Sequence, residues 1–342
     1  MMKVEFKNFQ LGLLLMAFIA VVSCDNNDEI KVDPTKEYDV ELTVAQGGQA
    51  NPDAPVTVDV TKQSTINAKV TFTSTDKNMK RLYITQNIAG QGETVYEPSE
   101  NIDLKADGAV DLTGKNDKNF EYAFKLPVPA GVSTGTVVYK FWTTTGNGDP
   151  RDLTQRLAVG PGTITLKYGG GNNPAPGTAK VKSFTNQKLA APLADGTSLT
   201  FFSLLDGKTY KIKEGVEYVN YWDFGYLYLQ ATHASLSSPA RYNTAVVNIK
   251  VTAQTGDEPL NQIYFKKSTK TVAEFGAVTT SADLDFVTVT KTDDAQTVGD
   301  LVEGTVVEFL DQYGKKGLIK VIEVSGTINQ GDYITIDVKV QP

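Results

Sequence analysis

Cysteine and histidine occur once each in 342 residues, and tryptophan only twice. A disulfide needs a second cysteine, and a zinc site built from Cys and His needs several such ligands, so the sequence predicts neither a disulfide framework nor a metal or other cofactor. The lone imidazole, His233, is the only base that a Ser–His–acid triad could recruit. His233 therefore reads as a loop or strand-end residue without a task. Positive charge is in deficit: 33 Lys+Arg face 40 Asp+Glu, a formal net charge of -7. A chain of that balance is not built to neutralise phosphates, and nucleic acid is not an expected partner. Long apolar runs are missing as well. The run from Leu11 to Val22, interrupted only by Gly12, falls well short of the ~20 residues that a helix needs to cross a bilayer.

What is present is ordinary globular material, 40% hydrophobic and 21% charged, in a chain long enough for two domains with a core each. The first 23 residues stand apart. Lys3 and Lys7 precede the apolar run, and Val21-Val22-Ser23-Cys24 closes it, the layout of a signal peptide over residues 1–23. The small Ser23 before Cys24 resembles the bacterial lipobox, with Val21 where Leu is commoner. The resemblance implies that the Cys24 thiol is lipidated and becomes the first residue of the mature chain, with the membrane as its partner through the acyl chains. Each buried CH₂ contributes ~0.8 kcal/mol to such an anchor. A cleaved secretory signal with an incidental cysteine stays open as the alternative. Residues 24–36 form an acidic tether, opening Asp25-Asn26-Asn27-Asp28-Glu29 after the cysteine. That segment resembles the export signal of Bacteroidetes surface lipoproteins, and the resemblance implies an outer-membrane anchor facing the cell exterior.

Gly169-Gly170-Gly171-Asn172-Asn173-Pro174-Ala175-Pro176-Gly177 has nothing to bury and the Gly/Pro content of a hinge. It marks a linker at 169–178 between domains at 37–168 and 179–342. Both domains read as all-β. Thr65 to Thr75 places Ile66, Ala68, Val70, Phe72 and Ser74 on one face and Thr, Asn67 or Lys69 on the other, the period of a strand buried on one side. Arg81–Thr85, Phe120–Leu126, Thr136–Thr144 and Leu153–Val159 behave similarly, and short strands separated by turns at this spacing predict an antiparallel β-sandwich. Thr136 to Thr144 followed by Gly146-Asn147-Gly148-Asp149 resembles the penultimate hairpin of bacterial Ig-like domains.

The second domain offers strands at Lys180–Phe184, Ser198–Ser203, Thr209–Lys213, Asp223–Gln230, Ala245–Val251, Phe286–Lys291, Thr305–Leu310, Gly317–Val324 and Tyr333–Val340. Helical turns are expected only near Thr271–Phe275 and Asp293–Val298. Lys alternating in Lys180-Val181-Lys182 and Val338-Lys339-Val340 suits guarded sheet edges. The ordered markers Phe201-Phe202-Ser203, Asp206-Gly207-Lys208-Thr209-Tyr210, Asp223-Phe224-Gly225-Tyr226, Leu236-Ser237-Ser238-Pro239, Gly304 to Phe309, Gly314 to Val321 and Ile336 to Gln341 resemble a carboxy-terminal module of Bacteroidetes surface lipoproteins. The resemblance implies a β-sandwich or jelly-roll-like fold and the same cellular address.

Three chemistries deserve weighing. Carboxylate pairs for glycoside hydrolysis would draw on Asp283/Asp285 or Asp293/Asp294, yet both clusters sit in turn-like sequence where Asp serves the backbone. Gly146 to Asp152 offers oxygen ligands for Ca²⁺ with Arg151 in their midst, and an Asx turn is the plainer reading. Tyr218 to Leu229 read as one strand is apolar enough on both faces for a central strand buried on both sides, the favoured reading; the functional alternative brings Tyr221 and Trp222 to the surface beside Asp223, flat rings next to an acceptor, suited to a sugar. The expected role is capture of an extracellular ligand, most plausibly a glycan, without catalysis, beside an outer-membrane transporter or another surface protein. A structural or adhesive protein and a carboxylate-based glycoside hydrolase are the alternatives.

Overall fold

Alternation governs the first half of the chain. In the computed structural model, Ile66, Ala68, Val70 and Phe72 are all fully buried along the strand Thr65–Thr73. That strand pairs antiparallel with Asn119–Pro127 and parallel with Val40–Ala45. The opposing sheet runs in the order Asp53–Thr57, Leu157–Tyr168, Gly135–Thr144, Arg81–Ile88, Glu93–Val95. The expected hairpin is formed between Gly135–Thr144 and Leu157–Tyr168, and the latter runs parallel to the short Asp53–Thr57. Leu42, Phe72 and Phe124 from one sheet meet Ile84, Phe141 and Ile164 from the other in a single apolar core. This is an Ig-like sandwich. The structure describes residues 35–46, 48–49, 51–129, 133–146, 149, 151, 157–173, 177–242, 247–256, 259–328 and 331–342. Cys24, the signal peptide and the tether up to residue 34 lie outside them.

The second half is a sandwich of two antiparallel sheets. One has the order Lys182–Ala190, Tyr333–Val340, Lys316–Ser325, Val306–Asp311, Ile263–Lys267; the other Thr209–Lys211, Leu199–Phe202, Phe224–Leu229, His233–Ser237, Thr297–Val298. Phe202, Phe224, Leu236, Phe309 and Ile336 are among the side chains filling the space between them. The short helix Val272–Ala277 carries a capping box at Thr271 and Glu274 and presses Phe275 onto a satellite core with Leu284, Val306 and Leu318. The turns expected near Thr271–Phe275 and Asp293–Val298 are present as that helix and as the 3₁₀ turn Asp294–Gln296.

Several expectations need correcting. The described part of Ala245–Val251 enters a helix, Ile249–Ala253, because Asn248 accepts the Val251 amide as an N-cap. Phe286–Lys291 forms no strand; Val287 drops into the satellite core while the chain pairs with no neighbour. Lys182–Ala190 is a sheet edge, but Tyr333–Val340 lies inside its sheet, and Lys339 donates its ammonium to the carbonyls of Phe275, Gly276 and Val278 at the end of the helix above. Tyr218 to Leu229 is not one strand. The helix Gly215–Tyr218 and a 3₁₀ turn, Val219–Tyr221, precede the strand Phe224–Leu229.

That turn builds a core shared by the two halves. Tyr83, Ala109 and Trp142 from the first pack with Phe201, Leu205, Tyr210, Tyr221 and Trp222 from the second. Polar links flank it. Arg81, fully buried, faces Asp107 at 3.3 Å and Glu217 at 3.2 Å, and Lys208 reaches Glu97 at 2.8 Å.

Candidate ligand-binding surfaces

The predicted sugar platform is not formed. Tyr221 and Trp222 are 1% and 0% exposed, and Trp222 lies stacked on Phe201 with ring centroids 4.4 Å apart. Gly215 makes the seat: a Cβ there would meet the Trp222 ring at 2.6 Å. Burial pushes the Tyr221 phenol far above its ordinary range. Asp223 is buried as well, and its carboxylate takes the Leu204 amide at 2.6 Å and Arg151 Nη1 at 2.8 Å on both oxygens. On its other edge Arg151 binds Asp149 through Nε at 3.0 Å and Nη2 at 2.9 Å, and Tyr313 donates to Asp149 at 2.6 Å. The loop weighed for Ca²⁺ thus surrenders its described carboxylate, Asp149, to a guanidinium. Among the described residues no cluster of three or more His, Cys, Asp or Glu could hold a metal ion.

Two carboxylates share one guanidinium here, away from water. Burial raises the Asp223 carboxyl to about 7 against the pull of Arg151. Two of the turn carboxylates singled out for hydrolysis, Asp283 and Asp293, have partners within the fold. Asp283 accepts the amides of Thr279 and Thr280 at 2.9 and 2.8 Å, which hold its carboxyl down at about 2. Asp293 faces Arg241 at 3.6 Å.

An open surface forms elsewhere, at one end of the second sandwich. Phe224–Leu229 and His233–Ser237 make a hairpin whose register pairs Leu229 with His233. His233 takes a left-handed backbone, φ 44°, and so does Asp300, φ 49°. Their side chains meet, Nδ1 to Oδ1 at 2.8 Å, with both more than half exposed. Two non-glycine residues in this region joined in one solvent-facing pair is a local cost of order 1–3 kcal/mol each, sustained only where the surroundings over-determine it. Those surroundings are tight. The Asp300 amide donates to Thr232 O at 2.6 Å, Leu301 to Ala234 O at 3.0 Å, and Lys267 Nζ to Asp300 O at 3.2 Å. A Cβ on Gly299 would strike Thr232 at 2.5 Å.

The pair borders a hollow of about 550 Å³ lined by half-buried Tyr228 and by exposed Val302, Glu303 and Glu323. His233 meets the Tyr228 ring edge-to-face at 6.0 Å. Tyr228 also lines a second hollow of about 750 Å³, with Leu193, Ser198, Ile328 and Asp332. One aromatic ring thus serves two adjoining hollows that carry both carboxylates and exposed aliphatic side chains. The nearby Ser235 hydroxyl points to the carbonyls of Thr232 and His233, each at 3.1 Å, so it does not complete a triad with the imidazole. Sequence reasoning placed Tyr228 on a strand face and gave His233 no task. The signal within reach was a lone His at a hairpin end and a Gly-Asp pair at Gly299-Asp300, both able to enter left-handed turns. The chain matches no protein-family model, no curated protein and no solved structure.

Proposed function

We propose that the protein is a surface lipoprotein, anchored in the outer membrane through lipidated Cys24, that captures an extracellular glycan without transforming it. The observation that carries the reading is the Tyr228 ring bordering two hollows beside the strained His233–Asp300 pair. A pyranose offers an apolar face and a rim of hydroxyls. The ring suits the former, and Asp300, Glu303, Glu323 and Asp332 accept from the latter, with the imidazole contributing a further polar partner. Backbone strain at a rigid, exposed pair is the kind of feature found where a ligand is held in one orientation. The described residues contain no helix long and apolar enough to cross a membrane, and the anchor rests on the Val21-Val22-Ser23-Cys24 sequence. Delivery of the captured glycan to an outer-membrane transporter fits that address.

A glycan array probed with the wild-type protein and with Tyr228→Ala tests the binding step. Saturable binding to at least one polysaccharide, weakened tenfold or more by the substitution, is the expected result. Binding to none, or binding indifferent to Tyr228, refutes the site. Mass spectrometry of the amino-terminal peptide and protease shaving of intact cells test the address: an acylated Cys24 and cleavage from outside are expected, and an unmodified thiol removes the anchor.

A further inference from the structure

We propose that the cleft between the two sandwiches binds a small monocarboxylate, held through the ammonium of Lys182. The cleft encloses about 550 Å³ and draws its walls from both halves. It shares no residue with the hollows around Tyr228, and the proposal is independent of glycan capture there.

Four cations line it: Lys140, Arg151, Lys182 and Lys315. Three are committed. Lys140 is ion-paired with Glu93, Arg151 is saturated by Asp149, Asp223 and the Asn220 carbonyl, and Lys315 donates to the Pro342 carbonyl. Of the anions in or behind the wall, Asp311 accepts the Lys315 amide at 2.7 Å, and Glu93, Asp149 and Asp223 are engaged as described. Lys182 differs. It stands at the start of the edge strand Lys182–Ala190, opposite Val340, half-buried, and among the described residues no carboxylate lies within ion-pair distance of its nitrogen. A partly desolvated ammonium without a counter-ion is costly, and a ligand anion relieves that cost.

The lining selects the class of anion. Leu204, Leu205 and Val340 give one wall an apolar surface that suits a hydrocarbon or ring body. With a single uncommitted cation, the cleft balances one negative charge, whereas a phosphate dianion would leave a second charge unmatched. Burial, with Arg151 and Lys315 as like-charged neighbours, lowers the Lys182 ammonium to about 8, partly countered by Glu93 and Asp223. The ammonium is therefore charged at neutral pH and lost above it. Lys140, Asp311 and Tyr313, whose phenol is raised by burial and donates to Asp149, also face the cleft.

Benzoate is the probe, with benzamide as its neutral isostere and phenyl phosphate as the dianion, titrated calorimetrically into the full-length protein at pH 7. Benzoate is expected to bind saturably in the millimolar range or tighter. Benzamide should bind at least tenfold more weakly, the scale of losing one charge-assisted hydrogen bond. Lys182→Met should lose tenfold or more, while Lys182→Arg and Lys188→Met, the latter on the same strand, stay within about threefold of wild type. Affinity should fall between pH 7 and 9 as the free ammonium deprotonates. A readout that needs no variant is acetylation of lysines by acetic anhydride at pH 8, mapped by peptide mass spectrometry, in which benzoate should protect Lys182. No saturable binding, equal binding of benzamide, indifference to Lys182→Met in a folded protein, or absent protection each overturns the site. Tighter binding of phenyl phosphate overturns the ligand class.

Discussion

Replacing Arg151 with methionine keeps much of the apolar stem and removes the only guanidinium between two buried carboxylates. The loss can be scaled from the geometry. Arg151 contacts Asp223 twice at 2.8 Å, Asp149 at 2.9 to 3.2 Å and the Asn220 carbonyl at 3.1 Å. Asp149 and Asp223 are 4% and 2% exposed, so neither can exchange the lost partner for bulk water. Removing one partner from a buried ion pair costs about 3–5 kcal/mol, and Arg151→Met should fall in that range at neutral pH. The cost should also depend on pH. The folded-state value of Asp223, about 7, lies above that of an unfolded Asp, so the native state holds the extra proton. The Asp223 contribution to stability is then fully present below about pH 4 and lost as pH rises through about 7. Without Arg151 the carboxyl rises further, so the variant keeps losing stability into the alkaline range where wild type has finished. Arg151→Met should cost least near pH 5.5 and most near pH 8.5.

Urea denaturation at pH 5.5, 7.0 and 8.5 measures this, and the two tryptophans make the readout local. Trp142 and Trp222 both sit in the core shared by the halves, so fluorescence follows the joint while far-ultraviolet dichroism follows all four sheets. In wild type the two signals should coincide; in Arg151→Met the fluorescence transition should come first. A cost below about 1 kcal/mol at every pH, or a cost flat across pH, would refute the account of the joint as held by a buried, under-neutralised triad.

Two further outcomes are expected. Trp222→Ala should destabilise by about 3–5 kcal/mol, through the lost stack on Phe201 and the cavity against Gly215; in the folded fraction, glycan binding should be unchanged, and a selective loss of binding would return the platform to Trp222. For Lys182 the folded value of about 8 lies below that of an unfolded lysine, so the native state binds fewer protons between about pH 8 and 10.4 and gains stability as pH rises through that window; equilibrium unfolding followed over that range should show a rise that Lys182→Met abolishes, and an unchanged slope would mean the ammonium is not desolvated.

Where the chain buries one face of a strand, its pattern was readable residue by residue. Thr65–Thr73 alternates because its threonines and lysines face outward while Ile66, Val70 and Phe72 point into the first core, and the expected face assignment survives unchanged. Where a segment is apolar nearly all round, burial was readable but the backbone conformation was not. Val219 to Trp222 holds one polar side chain, Asn220, too little to fix a period, and its conformation is set by distant partners: Gly215 leaves room for the indole, Phe201 stacks on it, and Trp142 from the other half closes the core. Phe286–Lys291 failed in the opposite way, alternating well but finding no strand to pair with.

The two candidate sites fall on either side of the same divide. His233 and Asp300 are 67 positions apart in the chain and meet only because Leu301 pairs with Ala234 and Asp300 with Thr232 across the end of a sheet. Nothing local announces that pair, although each residue belongs to a type that tolerates a left-handed backbone. Lys182 was visible as a guard of an edge strand, and the strand is indeed an edge. Its second property, a charge left without a counter-ion, follows from a different fact: the first half brings Arg151 and Lys140 to the same cleft with their own carboxylates already attached. The joint that buries the predicted sugar platform is therefore what creates the cleft. Tyr221 and Trp222 hold the sandwiches together, Asp223 fixes Arg151 at the margin, and the ammonium beside them has a field of like charge to escape, a condition that a bound carboxylate meets and a lone sandwich could not have produced.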